Sequence, residues 1–310
     1  MAPSRVSRRV KPRTAQWLRN YRTRLPPCAR RSAGNKGPMA ARPAMRRSLR
    51  SPRISPVIAQ QDAAEVCGKL LGLFADESAQ AAAVARAAKR LFEFRFQNYV
   101  LPIVGGVPVE DLGREAGSAE FDVLMRARMP YGSLPAAFRA LYVDREEISY
   151  AWDGGGAPRV PAMFGCRLRE LPEFLIIQVC RFAEQVWEPA PGGRRAAGGR
   201  PPPVAKDHRK FEFPIGELRM GPFAGGHSGR TEYELRAVAA HKGENGAAGH
   251  YVAFALSEAG WRRYDDRRVA EATAGQIRAE SYGGGAGRHR WSSACLLLYA
   301  RRGATWPYLE

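Results

Sequence analysis

The chain has 310 residues, of which 45% are hydrophobic, and it includes six Trp and thirteen Phe. This is enough apolar material to bury the core of one large domain or two small ones, which excludes disorder along the whole chain. The longest uninterrupted apolar run, residues 294–300, is far shorter than the roughly 18 to 20 residues of a membrane span. The sequence therefore predicts a folded protein without a transmembrane segment.

The net charge of +19 is concentrated at the N-terminus. Residues 1–60 contain 14 Arg, 2 Lys and no acidic residue, whereas the rest of the chain has 33 basic and 30 acidic side chains. We therefore predict a basic Arg/Pro-rich leader, residues 1–55, which is mostly disordered because it has few large apolar residues. Its composition is that of a transit peptide or of a nucleic-acid-binding arm, and equally of a solvated tail or of translated sequence foreign to the domain.

Beyond the leader, apolar spacing predicts helices and strands in one α+β domain, residues 56–302, followed by a tail, residues 303–310. The first helix begins at Asp62, which forms a capping pair with Glu65, and its apolar stripe consists of Ala63, Val66, Cys67, Leu70, Leu71 and Phe74. Further helices are expected over 78–90 and 133–141. Strands are expected over 92–100, 120–125, 174–179, 233–240, 251–255, 261–264 and 295–299. The Gly/Pro-rich segments 189–204 and 283–288 are predicted to be loops that do not pack.

A β-hairpin in the C-terminal half brings a histidine and an aspartate together. If residues 251–256 (YVAFAL) form a strand and the chain returns at Trp261, then Leu256 pairs with Trp261 and Asp265 lies opposite Val252. His250 shares a face with Val252, so Asp265 is its diagonal neighbour and within side-chain reach. A carboxylate in this position fixes the imidazole tautomer and supports the imidazolium form of a general base. On spacing alone, a His and an Asp on a hairpin form a structural hydrogen bond more often than a catalytic pair.

Four segments, taken in order, resemble those of a known family. Residues 233–269 (YELRAVAAHKGENGAAGHYVAFA to WRRYDDRRV) are similar to the histidine box of the ubiquitin-specific proteases, papain-like cysteine peptidases that remove ubiquitin. The other three segments are QQDAAEVCGKLL (60–71), RELPEFLIIQVCRF (169–182) followed by KFEFP (210–214), and SACLLLYARR (293–302). The resemblance implies an α+β, papain-like fold with fingers, palm and thumb, in which the N-terminal thumb helices are incomplete.

The resemblance also implies roles for individual residues. His250 would be the general base, Asp265 its orienting acid, and Asp266 would stand beside them. His241 belongs to the same box and is interpreted as structural.

Three residues are implied to contact ubiquitin. Tyr251 would line the narrow channel for the Gly-Gly tail, and Gly249 would let the backbone approach that tail without a side chain in the way. Asp62 would face the arginines of the tail, although its position at a helix start also explains it as a cap.

The nucleophile of the family is missing from its usual position. Cys28 is the one cysteine in this sequence that precedes Gln60, and its surroundings do not match the family's cysteine box. The segment most similar to that box, GNKGPMA (34–40), places Gly37 at the nucleophile position. We expect Cys67, Cys180 and Cys295 to be buried packing residues.

Two function classes follow for the folded domain. The first is a cysteine-type deubiquitinase that cleaves the isopeptide bond after ubiquitin Gly-Gly, and the second is an inactive relative that binds ubiquitin. The predicted partners are ubiquitin and ubiquitinated proteins, with nucleic acid possible only through the leader and no membrane. No cofactor and no metal are expected, since the family's two CxxC pairs for finger zinc are absent from the sequence. Five scattered cysteines fit a reducing compartment, and the family implies a cytoplasmic or nuclear location, with organelle targeting by the leader left open.

Overall fold

The computed structural model describes residues 63, 64, 66–68, 82–129, 131–152, 158–182, 204–225, 229–246 and 248–304. All of them belong to one unit, residues 58–310. Residues 63, 64 and 66–68 are helical. Three further α-helices have defined first and last residues: α1 (Ala82–Phe92), α2 (Leu134–Tyr142) and α3 (Ala274–Ser281). None of the helices in this described part has the length and hydropathy of a membrane span.

The first of two sheets has six strands: β1 (Phe94–Val104), β2 (Val107–Pro108), β3 (Arg114–Glu115), β4 (Glu120–Asp122), β6 (Glu146–Tyr150) and β7 (Val160–Glu170). Their order is β2-β1-β7-β6, with β3 and β4 also paired to β1. The hairpin between β1 and β2 turns at Gly105 and Gly106, whose φ angles of 60° and 82° are readily adopted only by glycine. We call this the six-stranded sheet.

The second sheet has eight strands: β5 (Met125–Arg128), β8 (Phe174–Cys180), β9 (Glu217–Arg219), β10 (Glu232–Lys242), β11 (His250–Ser257), β12 (Gly260–Asp265), β13 (Arg268–Glu271) and β14 (Ser292–Arg301). Their order is β13-β12-β11-β10-β14-β8-β5, with β9 paired to β10. All its pairs are antiparallel except β5 with β8. We call this the eight-stranded sheet, and it carries the predicted histidine hairpin at one side.

The core is packed against the eight-stranded sheet. Tyr233 on β10 and Tyr299 on β14 are fully buried, and their hydroxyls donate to the carbonyl oxygens of Pro172 and Pro214, both at 2.6 Å. Burying a phenol requires such a partner because an unpaired hydroxyl in the interior is costly. The central strands of this sheet are therefore fixed by both apolar packing and buried hydrogen bonds.

The predicted α+β class is confirmed, and several element boundaries shift. Helix α2 begins after Ser133, as predicted, and the Ser133 side chain accepts a hydrogen bond from the Ala136 amide at 3.4 Å. The predicted strand over 120–125 is two strands in different sheets, because the Asp122 carboxylate accepts from the amides of Val123 and Leu124 and turns the chain between them. Strand β7 and helix α3 were not predicted, because their sequences mix polar and apolar residues without a clear period.

Two packing predictions were wrong. In the first helix, Val66 is 39% exposed whereas Ala64 is buried, so the buried face is rotated from the predicted stripe. Segment 283–288 was predicted not to pack, but a Cβ atom on Gly283 would lie 2.9 Å from the Arg181 guanidinium. Glycine is needed there because a buried side chain occupies the space. Of segment 189–204, only Val204 is among the described residues.

Candidate active site

The hairpin of β11 and β12 sets the positions of His250 and Asp265. Its register pairs Leu256 with Trp261 and Ala253 with Tyr264, which confirms the predicted pairing. Gly260, with φ of 103°, allows the tight turn between the strands. His250 is thereby the first residue of β11, and Asp265 is the last residue of β12.

His250 and Asp265 form a direct hydrogen bond. The distance from His250 Nε2 to Asp265 Oδ1 is 2.5 Å, and the two side chains are 40% and 28% exposed. An ionised carboxylate only accepts hydrogen bonds, so Nε2 carries the proton in the neutral ring. Within the described part of the chain no other group bonds the ring, which leaves the Nδ1 lone pair available to accept a proton. The pair is therefore half-open to solvent and arranged as a base and its orienting acid.

Asp265 is held from its other side by an arginine. Arg263 lies two residues earlier on β12, on the same face, and its Nη2 is 2.8 Å from Asp265 Oδ2. The hydrogen bond from His250, and then the one from Arg263, hold the pKa of Asp265 below its ordinary value. Asp265 is therefore negatively charged at neutral pH and can stabilise an imidazolium.

Asp266 follows at the turn into β13. It is exposed and adopts a left-handed backbone with φ of 52°, which aspartate tolerates better than most residues. Ligand atoms of His250, Asp265 and Asp266 lie within 4.8 Å of one another. Both oxygens of Asp265 are already engaged by His250 and Arg263, so this group fits acid–base chemistry and is not assigned as a metal site.

Comparison with known proteins identifies the family. The family model for ubiquitin carboxyl-terminal hydrolases matches residues 44–299, which is more than half of the chain. The chain belongs to the ubiquitin carboxyl-terminal hydrolase family. The predicted resemblance to ubiquitin-specific proteases and the papain-like α+β fold class are thereby confirmed.

Two curated relatives show how much of a longer protein the match covers. Ubiquitin carboxyl-terminal hydrolase 21 of Homo sapiens is 35% identical over 74 residues, which are 24% of this chain and 13% of that protein. Ubiquitin carboxyl-terminal hydrolase 5 of Schizosaccharomyces pombe is 34% identical over 114 residues, which are 32% of this chain and 10% of that protein. The match thus spans only a small part of the length of these relatives.

The loop that leads to His250 in this ubiquitin carboxyl-terminal hydrolase chain is built on a second, buried histidine. His241 is 1% exposed, and Lys206 Nζ lies 3.1 Å from its Nδ1 while donating to the carbonyl oxygens of His241, Gly243 and Trp291 at 2.7, 3.2 and 2.8 Å. Burial, and then the charge of Lys206, lower the pKa of His241 to about 4. Burial lowers the pKa of Lys206 to about 8. His241 is therefore a neutral structural residue, in agreement with the interpretation from sequence.

The packing of the fold itself requires glycine at position 249. A Cβ atom at this position would lie 2.3 Å from His241 Nε2 and 2.6 Å from the Lys242 carbonyl oxygen. Close packing over the buried ring thus requires glycine immediately before His250, independently of any substrate. Its contact with a ubiquitin tail stays a prediction.

Tyr251 projects to the opposite face of β11 from His250. Its ring centroid is 5.0 Å from that of His241, and its hydroxyl accepts a hydrogen bond from the Ala63 amide at 3.4 Å. Tyr251 therefore links the hairpin to the first helix. Asp62, one residue before Ala63, lies outside the described residues, so its predicted contact with ubiquitin and its role as a cap both stay predictions.

The described cysteines lack the features of a nucleophile paired with His250. Within the described residues, no hydrogen bond joins the sulfur of Cys67, Cys166, Cys180 or Cys295 to His250. Burial raises the pKa of Cys166 to about 12 and also raises the pKa of Cys67. Cys295 is buried as predicted, but the prediction was wrong for Cys67 and Cys180, which are only partly buried. A thiol whose pKa is raised is a poor source of thiolate. Cys28 lies outside the described residues.

Sequence reasoning missed the charged residues that support the pair. Arg263 could have been found, because period-two alternation puts it on the same face of β12 as Asp265. Glu280, which binds Arg263, is 17 positions away on a helix that the sequence did not predict. Lys206 contacts His241 across 35 positions of the chain, and local sequence carries no signal for such a contact.

Proposed function

We propose that this domain is a cysteine-type deubiquitinase that cleaves the isopeptide bond following the Gly-Gly end of ubiquitin. The observation that carries the proposal is the 2.5 Å hydrogen bond between His250 Nε2 and Asp265 Oδ1 in a chain of the ubiquitin carboxyl-terminal hydrolase family. A histidine whose outer nitrogen is held by a carboxylate is what a thiol nucleophile requires as its base. Ubiquitin and ubiquitinated proteins are the proposed partners.

The proton transfers follow from the arrangement of the ring. With Nε2–H bound to Asp265, Nδ1 accepts the thiol proton, and the thiolate attacks the carbonyl carbon of the last glycine. The imidazolium then donates that proton to the leaving lysine amine, which departs as a thioester forms. Nδ1 next takes a proton from water, whose oxygen attacks the thioester and returns the free thiol and the ubiquitin carboxylate. The charge of Asp265 stabilises the imidazolium in each step.

Within this sequence, elimination leaves Cys28 as the candidate nucleophile. The chain has five cysteines, and the other four lie within the described residues without a hydrogen bond to His250. We propose on this basis that Cys28 supplies the thiolate if the chain hydrolyses ubiquitin conjugates by itself.

The raised pKa values of Cys67 and Cys166 favour a second candidate function, the binding of ubiquitin without hydrolysis. In this form the domain would bind the ubiquitin tail beside Tyr251 and keep the His250–Asp265 pair, but no thiolate would attack the bound tail. Without an acyl-enzyme there is no turnover.

One experiment separates the two functions. The full chain is incubated with ubiquitin that carries a C-terminal electrophile, and the covalent adduct is followed by its mass. An adduct that disappears in Cys28→Ser and slows strongly in His250→Ala supports hydrolysis. Failure of the wild type to form an adduct, with ubiquitin still retained on a column of the protein, supports binding alone. Failure of both measurements would reject both functions.

The leader and the location remain proposals of the same kind. We assign residues 1–55 to a basic leader, 56–302 to the catalytic-like domain and 303–310 to a tail, with a cytoplasmic or nuclear location. If the leader binds nucleic acid, its removal will abolish a salt-dependent affinity, because the +16 charge of residues 1–60 would act by releasing counterions. An affinity that persists without residues 1–55 would exclude this role.

A further inference from the structure

A chain of ion pairs runs away from the His250–Asp265 pair into the fold. Arg263 Nη2 binds Asp265 Oδ2 at 2.8 Å, and Arg263 Nε is 3.1 and 3.2 Å from the two carboxylate oxygens of Glu280. Lys242 Nζ binds Glu280 Oε2 at 2.9 Å. Lys242 is also the cross-strand partner of His250 in the pairing of β10 with β11. The chain of contacts therefore starts and ends at the candidate base.

The chain of ion pairs joins strands β12 and β10 to helix α3. Glu280 lies near the end of α3, which begins with a capping box formed by Thr273 and Gln276. The backbone carbonyl of Glu280 accepts a hydrogen bond from the Ser292 hydroxyl at 2.5 Å, which ties α3 to the start of β14. Helix α3 is thus attached to the eight-stranded sheet at the residue that binds Arg263.

Glu280 is buried, so its carboxylate requires positively charged partners. The Glu280 side chain is 9% exposed and that of Arg263 is 19% exposed. Burial alone would raise the pKa of Glu280, but the hydrogen bonds from Lys242 and Arg263 hold it below its ordinary value. Because the carboxylate is charged at neutral pH, it accepts charge-assisted hydrogen bonds from the guanidinium.

Asp265 needs such support because of where it sits. It is the last residue of β12 and precedes the exposed Asp266 in a left-handed turn, so the backbone alone leaves its carboxylate free to rotate. Arginine presents a planar fork, and here Nη2 holds Asp265 while Nε holds Glu280. The two oxygens of the Asp265 carboxylate thereby have separate partners, Oδ1 at His250 and Oδ2 at Arg263.

We propose that Arg263, held by Glu280, is a positioning residue that fixes the carboxylate of Asp265 against His250 Nε2. The inference rests on the proposed function, since it assigns a purpose to the pair that would act as base and acid. Lys242, Arg263 and Glu280 also line a neighbouring cavity of about 350 Å³.

Positioning can be distinguished from a simple charge effect by the direction of the change. If Arg263 acts only as a nearby positive charge, its removal makes Asp265 a stronger acceptor, and the bond to His250 persists or strengthens. If Arg263 positions Asp265, its removal lets the carboxylate rotate, and the bond to His250 weakens.

The test reads the ring nitrogens of His250 directly. Long-range ¹H–¹⁵N correlation through the carbon-bound ring protons is recorded on the ¹⁵N-labelled full chain, at a pH where the imidazole is neutral. The chain has five histidines, and His250→Gln identifies the signal by its loss. Asp265→Ala gives the ¹⁵N shifts of a ring without its acceptor. Arg262→Gln is the matched control, because it removes one positive charge from the opposite face of the same strand.

We expect Arg263→Gln to move the His250 ¹⁵N shifts about half or more of the way to those of Asp265→Ala. The reason is that Arg263 would no longer hold the Asp265 carboxylate in place to accept the hydrogen bond from His250 Nε2. Glu280→Gln, which keeps the guanidinium, is expected to move them in the same direction by less, and Arg262→Gln to leave them unchanged. Wild-type shifts in Arg263→Gln, or a movement in the opposite direction, would overturn the proposal. If Arg263→Gln does not fold by circular dichroism, the sign of the Glu280→Gln shift decides.

The adduct assay keeps the two proposals separate. If the wild type reacts with the electrophilic ubiquitin, Arg263→Gln should slow the reaction by about tenfold or more while Arg262→Gln does not. If the wild type does not react but the ring shifts change as expected, the positioning role holds and the hydrolase function fails.

Discussion

The two sheets of this molecule hold charge in opposite ways. In the eight-stranded sheet and its adjoining loop, Arg181 and Lys206 are 1% and 8% exposed, and each donates to several backbone carbonyls. In the six-stranded sheet, Arg167 and Arg169 pair with Glu110 and Glu115 on the surface, with side chains 39% to 60% exposed. A buried ion costs several kcal/mol to desolvate and must be fully satisfied, whereas an exposed pair contributes only about 0 to 1 kcal/mol. The charges of Arg181 and Lys206 are therefore part of the core, whereas the ion pairs of Arg167 and Arg169 are surface features.

Replacing Arg181 tests this contrast with the largest expected effect. Its guanidinium donates to the carbonyl oxygens of Ala294, Asp207, Arg209 and Tyr282 at 3.3, 3.2, 2.5 and 2.8 Å. Arg181→Met would leave these buried acceptors without donors and should lower the free energy of unfolding by about 3 to 5 kcal/mol in urea denaturation.

The matched control for Arg181 is Arg169→Met in the six-stranded sheet. Its pair with Glu115 at 2.8 Å is exposed, so a change below about 1 kcal/mol is expected. Equal midpoints of urea denaturation for Arg181→Met and the wild type would contradict the expectation that the buried Arg181 stabilises the eight-stranded sheet.

The buried histidine predicts a pH dependence of stability with a defined sign. Folding lowers the pKa of His241 from 6.5 to about 4. Between these two pH values His241 is therefore protonated in the unfolded chain but neutral in the folded chain. The contribution is complete above pH 6.5 and is lost as the pH falls toward 4, by at most about 3 kcal/mol at 1.36 kcal/mol per pH unit. Unfolding midpoints measured across this window should fall less steeply in His241→Phe than in the wild type. Parallel slopes for the two proteins would show that His241 does not titrate as expected.

Gly249→Ala is expected to have a smaller effect on stability and a local effect at the site. The added Cβ would meet His241 Nε2 at 2.3 Å and the Lys242 carbonyl oxygen at 2.6 Å, so the loop before His250 must move. Overpacking of this kind costs about 1 to 3 kcal/mol, measurable by thermal unfolding, and it should also shift the ring signals of His250. Gly216→Ala is the control, since nothing lies within 4 Å of a Cβ there. A Gly249→Ala protein as stable as that control would show that the close approach to His241 is relieved at no cost.

The sequence was informative where contacts are local. Alternation with period two and a short turn were enough to predict that Asp265 would reach His250, and the helix that follows Ser133 was also predicted. The same reasoning failed for Glu280 and Lys206, whose partners are 17 and 35 positions away, because no local pattern records which buried charges a fold will join. Gly249 shows a third case. Its position was predicted to matter for a substrate, whereas the fold already requires glycine because of the buried His241 ring.

The smallest effect is expected from the charged surface of the six-stranded sheet. Glu110 pairs with Arg145 and with Arg167, the latter at 2.9 Å, and the Arg167 guanidinium lies 4.0 Å from the centre of the Tyr99 ring. Because Glu110 is half exposed, Glu110→Gln should change the free energy of unfolding by less than about 1 kcal/mol, and the difference should shrink further in high salt. A loss as large as that of Arg181→Met would mean that the six-stranded sheet depends on charge as the other sheet does. A small loss that salt removes would place its stability in the packing between β1 and β7 instead.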